Sequence, residues 1–110
     1  MKLGYKLWLS SDGKTFGDGP CELLERVGAS GSIRKAAEEM GMSYSKAWGL
    51  VRRAEQQLNY PLLTKRTGGT LGGGSLLTAE ATALIKRYRQ FCSEADQALT
   101  VLYATYFDGE

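Results

Sequence analysis

Residues 31–58 read GSIRKAAEEMGMSYSKAWGLVRRAEQQL, and the way this stretch folds decides the architecture of the chain. Ser32 offers the side-chain oxygen of a helix N-cap. Behind it Ile33, Ala36, Ala37 and Met40 fall at i, i+3, i+4 and i+7, the spacing of a helix with one apolar face. Gly41 follows at once and suits the positive φ of a sharp turn. Ser43 then caps a further helix whose Ala47, Leu50, Val51, Ala54 and Leu58 again share a face. The small pair Ala37 and Ala47 allows the two helices to cross closely, as a tight helix-turn-helix requires.

At about 100° per residue, the second of these helices turns Ser45, Gly49, Arg52 and Gln56 outward. Tyr44 and Trp48 flank one side of that face, and Lys46 and Arg53 the other. Serine, arginine and glutamine hydrogen-bond base edges in a DNA groove, whereas lysines and arginines on the flanks meet phosphates. Gly49 is informative, because a mid-helix glycine costs on the order of 1 kcal/mol relative to alanine. On an outward face it lets the helix backbone approach a groove floor. Trp48, at the boundary, is read as core packing.

Immediately downstream, residues 65–74 read KRTGGTLGGG. Pro61 is expected to stop the preceding helix, residues 62–66 to form a strand, and residues 75–77 to return. Five glycines in the eight residues 67–74 make the tip, whose backbone N–H groups, with Lys65 and Arg66, suit a phosphate chain. The tip is not a nucleotide-binding loop: Gly73-Gly74-Ser75 stands where that pattern needs a lysine before the hydroxyl residue.

Working outward again, Leu3, Tyr5, Leu7 and Leu9 alternate with Lys2, Lys6, Trp8 and Ser10, a strand's period of two. Asp12-Gly13 predicts a hairpin turn and Thr15-Phe16 a return strand. Pro20 opens a first helix, with Leu23, Leu24 and Val27 as its buried stripe and a close near Gly28 to Gly31. Residues 78 to about 107, free of glycine and proline, predict one long terminal helix.

Composition narrows the function. The 110 residues, 43% of them apolar, fit one modest core. No stretch is apolar for long enough to span a membrane, and no signal peptide opens the chain. Cys21 and Cys92 lie far apart with no CxxC spacing, which fits two small hydrophobes in a reduced, cytoplasmic protein. Histidine is absent, which removes most zinc sites and the commonest general base. No catalytic residues, metal site or cofactor are therefore expected, and the chain is not expected to be an enzyme. The net charge of +2 is small, but its distribution is not even. Residues 34–66 hold seven basic and three acidic groups, while residues 67–110 hold three and five. Positive charge is concentrated on the helix-turn-helix and the glycine hairpin, where a phosphate backbone would meet it.

GSIRKAAEEMGMSYSKAWGLV (31–51) together with TGGTLGGGSLLT (67–78) resembles the N-terminal domain of ModE-type, molybdate-responsive transcription regulators, a winged helix similar to the LysR type. Gly31-Ser32-Ile33, Ser43-Tyr44, Ala47-Trp48 and the double glycine cluster carry the resemblance, which covers nearly the whole chain. It implies double-stranded DNA as partner, and dimerisation. Full-length members continue into oxyanion-binding domains. Molybdate binding is not supported by the residues present here.

The expected fold is mainly α with small β-hairpins: a winged helix-turn-helix over residues 1–77, then a long dimerisation helix over 78–110. That helix would be about 45 Å long at 1.5 Å per residue, in a domain roughly 35 Å across. Its apolar stripe Ala81, Ile85, Tyr88, Cys92, Ala95, Leu99, Leu102 and Tyr106 alternates steps of four and three, the period of a helix packed along another helix. A second copy is the expected partner. Arg52, Ser45 and Tyr44 are the candidates for base readout, and Arg34, Lys46, Arg53, Lys65 and Arg66 for phosphates. Ser43, Gly49, Gly68 and Gly69 complete the candidate DNA-binding set. The alternative reading is a winged-helix interaction module whose basic face binds an acidic protein.

Overall fold

Three serine and threonine caps set the framework. Ser32, Ser43 and Thr78 each accept from the backbone N–H three residues on, at Lys35, Lys46 and Ala81. They start α2 (Ile33–Glu39), α3 (Tyr44–Leu58) and α4 (Ala79–Phe107), all within a residue of where the sequence places them. Before them come β1 (Trp8–Ser10), β2 (Lys14–Gly17) and α1 (Asp18–Ser30), and between α3 and α4 lie β3 (Leu63–Arg66) and β4 (Gly74–Leu77). The structure, a computed structural model, describes residues 1–11, 13–66 and 74–108, without the side chains of residues 14, 15 and 66.

The architecture is the expected winged helix-turn-helix with two antiparallel hairpins and a long terminal helix. Turns follow from local chemistry: α1 closes on Gly31 (φ 74°) and α2 turns into α3 through Gly41 (φ 68°). The buried residues form one core. Leu23, Leu24 and Val27 of α1 meet Ile33, Ala36 and Ala37 of α2 and Ala47, Val51 and Ala54 of α3. Leu62 closes one end, while Phe16, Leu84 and Tyr88 close another. The alanines at the α2–α3 crossing are fully enclosed, so a larger side chain there would separate the helices.

Three local expectations need correction. Only Trp8–Ser10 of the alternating N-terminal stretch is strand. The preceding residues instead follow α4, where Tyr88 donates its hydroxyl to the Leu7 carbonyl (3.0 Å) and Tyr5 donates to Asp96. α1 begins at Asp18, two residues before Pro20, with Gly17 as its cap. It runs through Gly28 and closes at Gly31, within the expected range. A Cβ on Gly28 would lie 2.8 Å from Leu77 Cδ1, so a side chain there would make the tip of Leu77 shift. α3 ends at Leu58 because Asn59 takes the left-handed conformation (φ 63°), before Pro61 is reached.

The long helix also divides differently from the even stripe read in the sequence. Ala81 and Tyr88 are buried in the chain's own core, with Leu84 beside them, so they are unavailable to a partner. Ile85 and Cys92 are half-buried and pack against that core. Beyond them the helix leaves the domain: Leu102 and Tyr106 are 53% and 74% exposed. The molecule measures 59 × 27 × 21 Å, and its radius of gyration of 16.8 Å exceeds the ~13 Å of a compact domain this size.

Candidate nucleic-acid interface

Arg34 on α2, Arg52 on α3 and Lys65 on β3 are separated in sequence but line one open groove between the α3 face and the hairpin root. Tyr44, Trp48 and Leu63 give that groove an apolar side, and Ser75 and Gly74 its far edge. The hairpin is fixed to the helices at both strands. Ser75 N–H donates to the Gly31 carbonyl (2.9 Å), and Thr78 N–H to the Leu62 carbonyl (3.0 Å). Glu55 of α3 accepts from Leu62 N–H (2.8 Å), which ties the helix to the start of the wing.

α3 presents the face expected of it. Tyr44, Ser45, Lys46, Gly49, Arg52, Arg53 and Gln56 are all exposed. A Cβ built on Gly49 meets nothing within 4 Å, so no packing in the domain requires glycine there. Ser43 is exposed, but its hydroxyl oxygen is engaged in capping Lys46 N–H (3.1 Å). Arg53 stands apart from the groove. It lines a different cavity with Leu50, Trp8 and Tyr88, toward the N-terminal hairpin. Lys65 is exposed on β3. The Arg66 side chain, Gly68 and Gly69 lie outside the described residues.

The arginines of this face differ from two arginines elsewhere on the surface. Among the described residues, Arg34, Lys46, Arg52, Arg53 and Lys65 make no ion pair, whereas Arg26 and Arg89 each hold two carboxylates. The bonds to Glu25 and Asp18 raise the Arg89 pKa further above its already high value. A cation with no carboxylate partner is free to meet a phosphate.

Aromatic contacts order two of the free arginines, which the sequence reading did not foresee: it gave Trp48 to core packing and Tyr44 to base readout. Arg34 Cζ lies over the Tyr44 ring (4.3 Å to its centroid) and Arg52 Cζ over the Trp48 ring (5.1 Å). The two rings meet edge to face at 6.4 Å. Trp48 does pack on the core as expected, and carries Arg52 as well. The signal for this was available: residues 44, 48 and 52 form an i, i+4, i+8 row along α3.

Residues 21–82 match the model of bacterial regulatory helix-turn-helix proteins of the lysR family, a segment running from α1 to the start of α4. The chain belongs to that family. As a lysR-type helix-turn-helix it is a DNA-binding domain of the transcription-regulator class. Among relatives, 80 residues are 39% identical to the molybdenum-pterin-binding protein MopB of Rhodobacter capsulatus, over 73% of this chain and 30% of that protein. The DNA-binding transcriptional dual regulator ModE of Escherichia coli K12 is 35% identical with the same coverage. The molybdenum transport protein ModE of Herbaspirillum seropedicae is 40% identical over 68 residues, 62% of this chain and 25% of that protein. The lysR-type chain thus spans less than a third of the length of these relatives.

Proposed function

We propose that this domain regulates transcription as a cytoplasmic homodimer, binding a palindromic operator in double-stranded DNA. The observation that carries the proposal is the groove between α3 and the wing, where Arg34, Arg52 and Lys65 converge and, among the described residues, no carboxylate is paired to any of them. In this reading α3 enters the major groove, and the wing root lies along the adjacent backbone or minor groove. Arg52, Ser45 and Tyr44 meet base edges, with Gly49 bringing the helix axis close. Arg34, Lys46, Lys65 and Arg66 hold phosphates, and Arg53 holds one on the opposite flank. Among the described residues no helix is long and apolar enough to cross a membrane, and no three potential metal ligands cluster.

The distal end of α4 supports pairing. Val101, Leu102 and Tyr106 are exposed apolar residues on a helix that has already left its own domain. Covering them with a second α4 buries that stripe and sets two recognition helices on one duplex by two-fold symmetry. Residues 1–77 then carry the DNA-binding elements, and residues 78–110 the pairing helix, whose first three turns also close the core. No role toward molybdenum is proposed for this stretch.

Selection of duplexes from a random pool by the purified chain, with molar mass measured in parallel, tests the proposal. A two-fold-symmetric consensus and a doubled mass are the expected results. Retention of no duplex at moderate salt, alongside capture of an acidic protein, would overturn DNA binding in favour of a protein-interaction module.

A further inference from the structure

We propose that Tyr44 and Trp48 are positioning residues: each ring holds a guanidinium over its face, so that Arg34 and Arg52 reach DNA pre-aligned with their N–H donors unspent. The inference rests on the DNA-binding reading and concerns how that site obtains its selectivity.

Arg52 has a nearer electrostatic option that it does not take. Glu55 lies three residues on, at the spacing where helix ion pairs form. Its carboxylate is instead engaged by the backbone N–H groups of Leu62 (2.8 Å) and Leu63 (3.4 Å). Arg52 turns the other way and sits over Trp48. Attraction to the negative face of a ring requires no hydrogen-bond acceptor. A guanidinium held in this way keeps its forked set of five donors for a guanine edge or a phosphate. An arginine held by a carboxylate would have to break that bond first.

The same arrangement recurs one turn earlier and crosses to another helix. Arg34 of α2 lies over Tyr44, the first residue of α3, and Tyr44 meets Trp48 edge to face. Trp48 is itself seated against the core. The row Arg34–Tyr44–Trp48–Arg52 therefore fixes two long, rotamer-rich side chains to the scaffold before DNA arrives. Less side-chain freedom is lost on binding, and misplaced bases are met by a donor set that cannot readily adapt. Tyr44 then positions Arg34 with its ring, in addition to its own place at a base edge.

The test compares binding to a selected duplex with binding to its scrambled counterpart, by fluorescence anisotropy across a salt series. Trp48→Leu is expected to reduce discrimination about tenfold, and Trp48→Phe to restore most of it. In an Arg52→Ala background Trp48→Leu is expected to cause no further loss. Arg52→Lys, at an exposed position where folding is not at stake, should lose discrimination while keeping the salt slope, because charge remains and the planar fork does not. In the free protein, the side-chain methylene protons of Arg52 should resonate upfield under the Trp48 ring, and lose that shift in Trp48→Leu. Undiminished discrimination in Trp48→Leu, the same tenfold loss with Arg52 already removed, full function in Arg52→Lys, or an unshifted Arg52 would each overturn the proposal. If the wild-type chain binds no duplex, the DNA-binding reading fails first; the ring-current shift, read without DNA, distinguishes that failure from this one.

Discussion

On the α1–α4 side of the domain Arg89 is held by Asp18 (2.7 Å) and Glu25 (2.8 Å), and Arg26 by Glu22 and Glu39. On the α3–wing side Arg34 and Arg52 pair with no carboxylate among the described residues and lie over aromatic rings instead. The two sides differ in their mid-helix glycines as well. Gly28 of α1 has a neighbour inside the molecule, since the tip of the Leu77 side chain lies 2.8 Å from where its Cβ would be. Gly49 of α3 has none, because its Cβ would point into open space. Residue types that are explained by the fold on one side are unexplained by it on the other.

Exchanging the arginines gives the largest expected contrast. Arg52→Ala should weaken binding to the preferred duplex by about 1–3 kcal/mol and relax sequence preference, with the melting temperature unchanged. Arg89→Ala should do the converse, lowering stability by about 1 kcal/mol, as expected for half-exposed ion pairs, with DNA preference intact. Anisotropy titrations and thermal unfolding of both variants would erase the contrast if the effects proved interchangeable.

The glycines sharpen it next. Gly49→Ala should stabilise the free domain by on the order of 1 kcal/mol through helix propensity, yet weaken DNA binding by holding α3 off the groove floor. Gly28→Ala should gain less stability than Gly49→Ala, because the tip of the Leu77 side chain must shift before the added methyl fits. A Gly49→Ala variant that binds DNA as tightly as the parent would remove the argument from open space.

Lys65→Ala tests the wing. It should weaken binding to all duplexes about equally and flatten the dependence of log K on log salt by about one unit, read from titrations at several ionic strengths. A smaller effect belongs to the core side alone. Burial pushes the Cys21 thiol up from 9.0 to about 11. The folded state therefore holds that proton more tightly than the unfolded one, so the contribution is full below pH 9 and is lost between pH 9 and 11. Urea unfolding over that range should show falling stability, and Cys21→Val should flatten the fall.

Local chemistry was the legible part of this protein. The caps at Ser32 and Ser43, the turn at Gly41 and the one-sided helices follow from residues within a few positions of each other. What escaped the sequence depends on distant segments. Leu3, Tyr5 and Leu7 alternate as a strand would, yet only β1 pairs, because the earlier residues lie against α4 through Tyr5–Asp96 and Tyr88–Leu7. The 3.5-residue stripe of α4 is continuous, but nothing in its period distinguishes Ala81 and Tyr88, which meet their own core, from Leu102 and Tyr106, which stand exposed. At the candidate interface the wheel placed Ser45, Gly49 and Arg52 on the open face. It did not reveal that Arg34 and Lys65, from other elements, would line the same groove, nor that Arg53 would leave it.

α4 runs unbroken for 29 residues, from a cap locked beneath the wing to its far apolar end. A continuous helix transmits rotation as a shaft does. One residue inserted near its middle would twist the distal end by about 100° and advance it 1.5 Å, putting the two reading heads of a pair out of phase. Seven inserted residues would nearly restore the phase and lengthen the arm by about 10 Å. In such an assembly the spacing of half-sites is set by the length of this axle, far from any residue that meets a base.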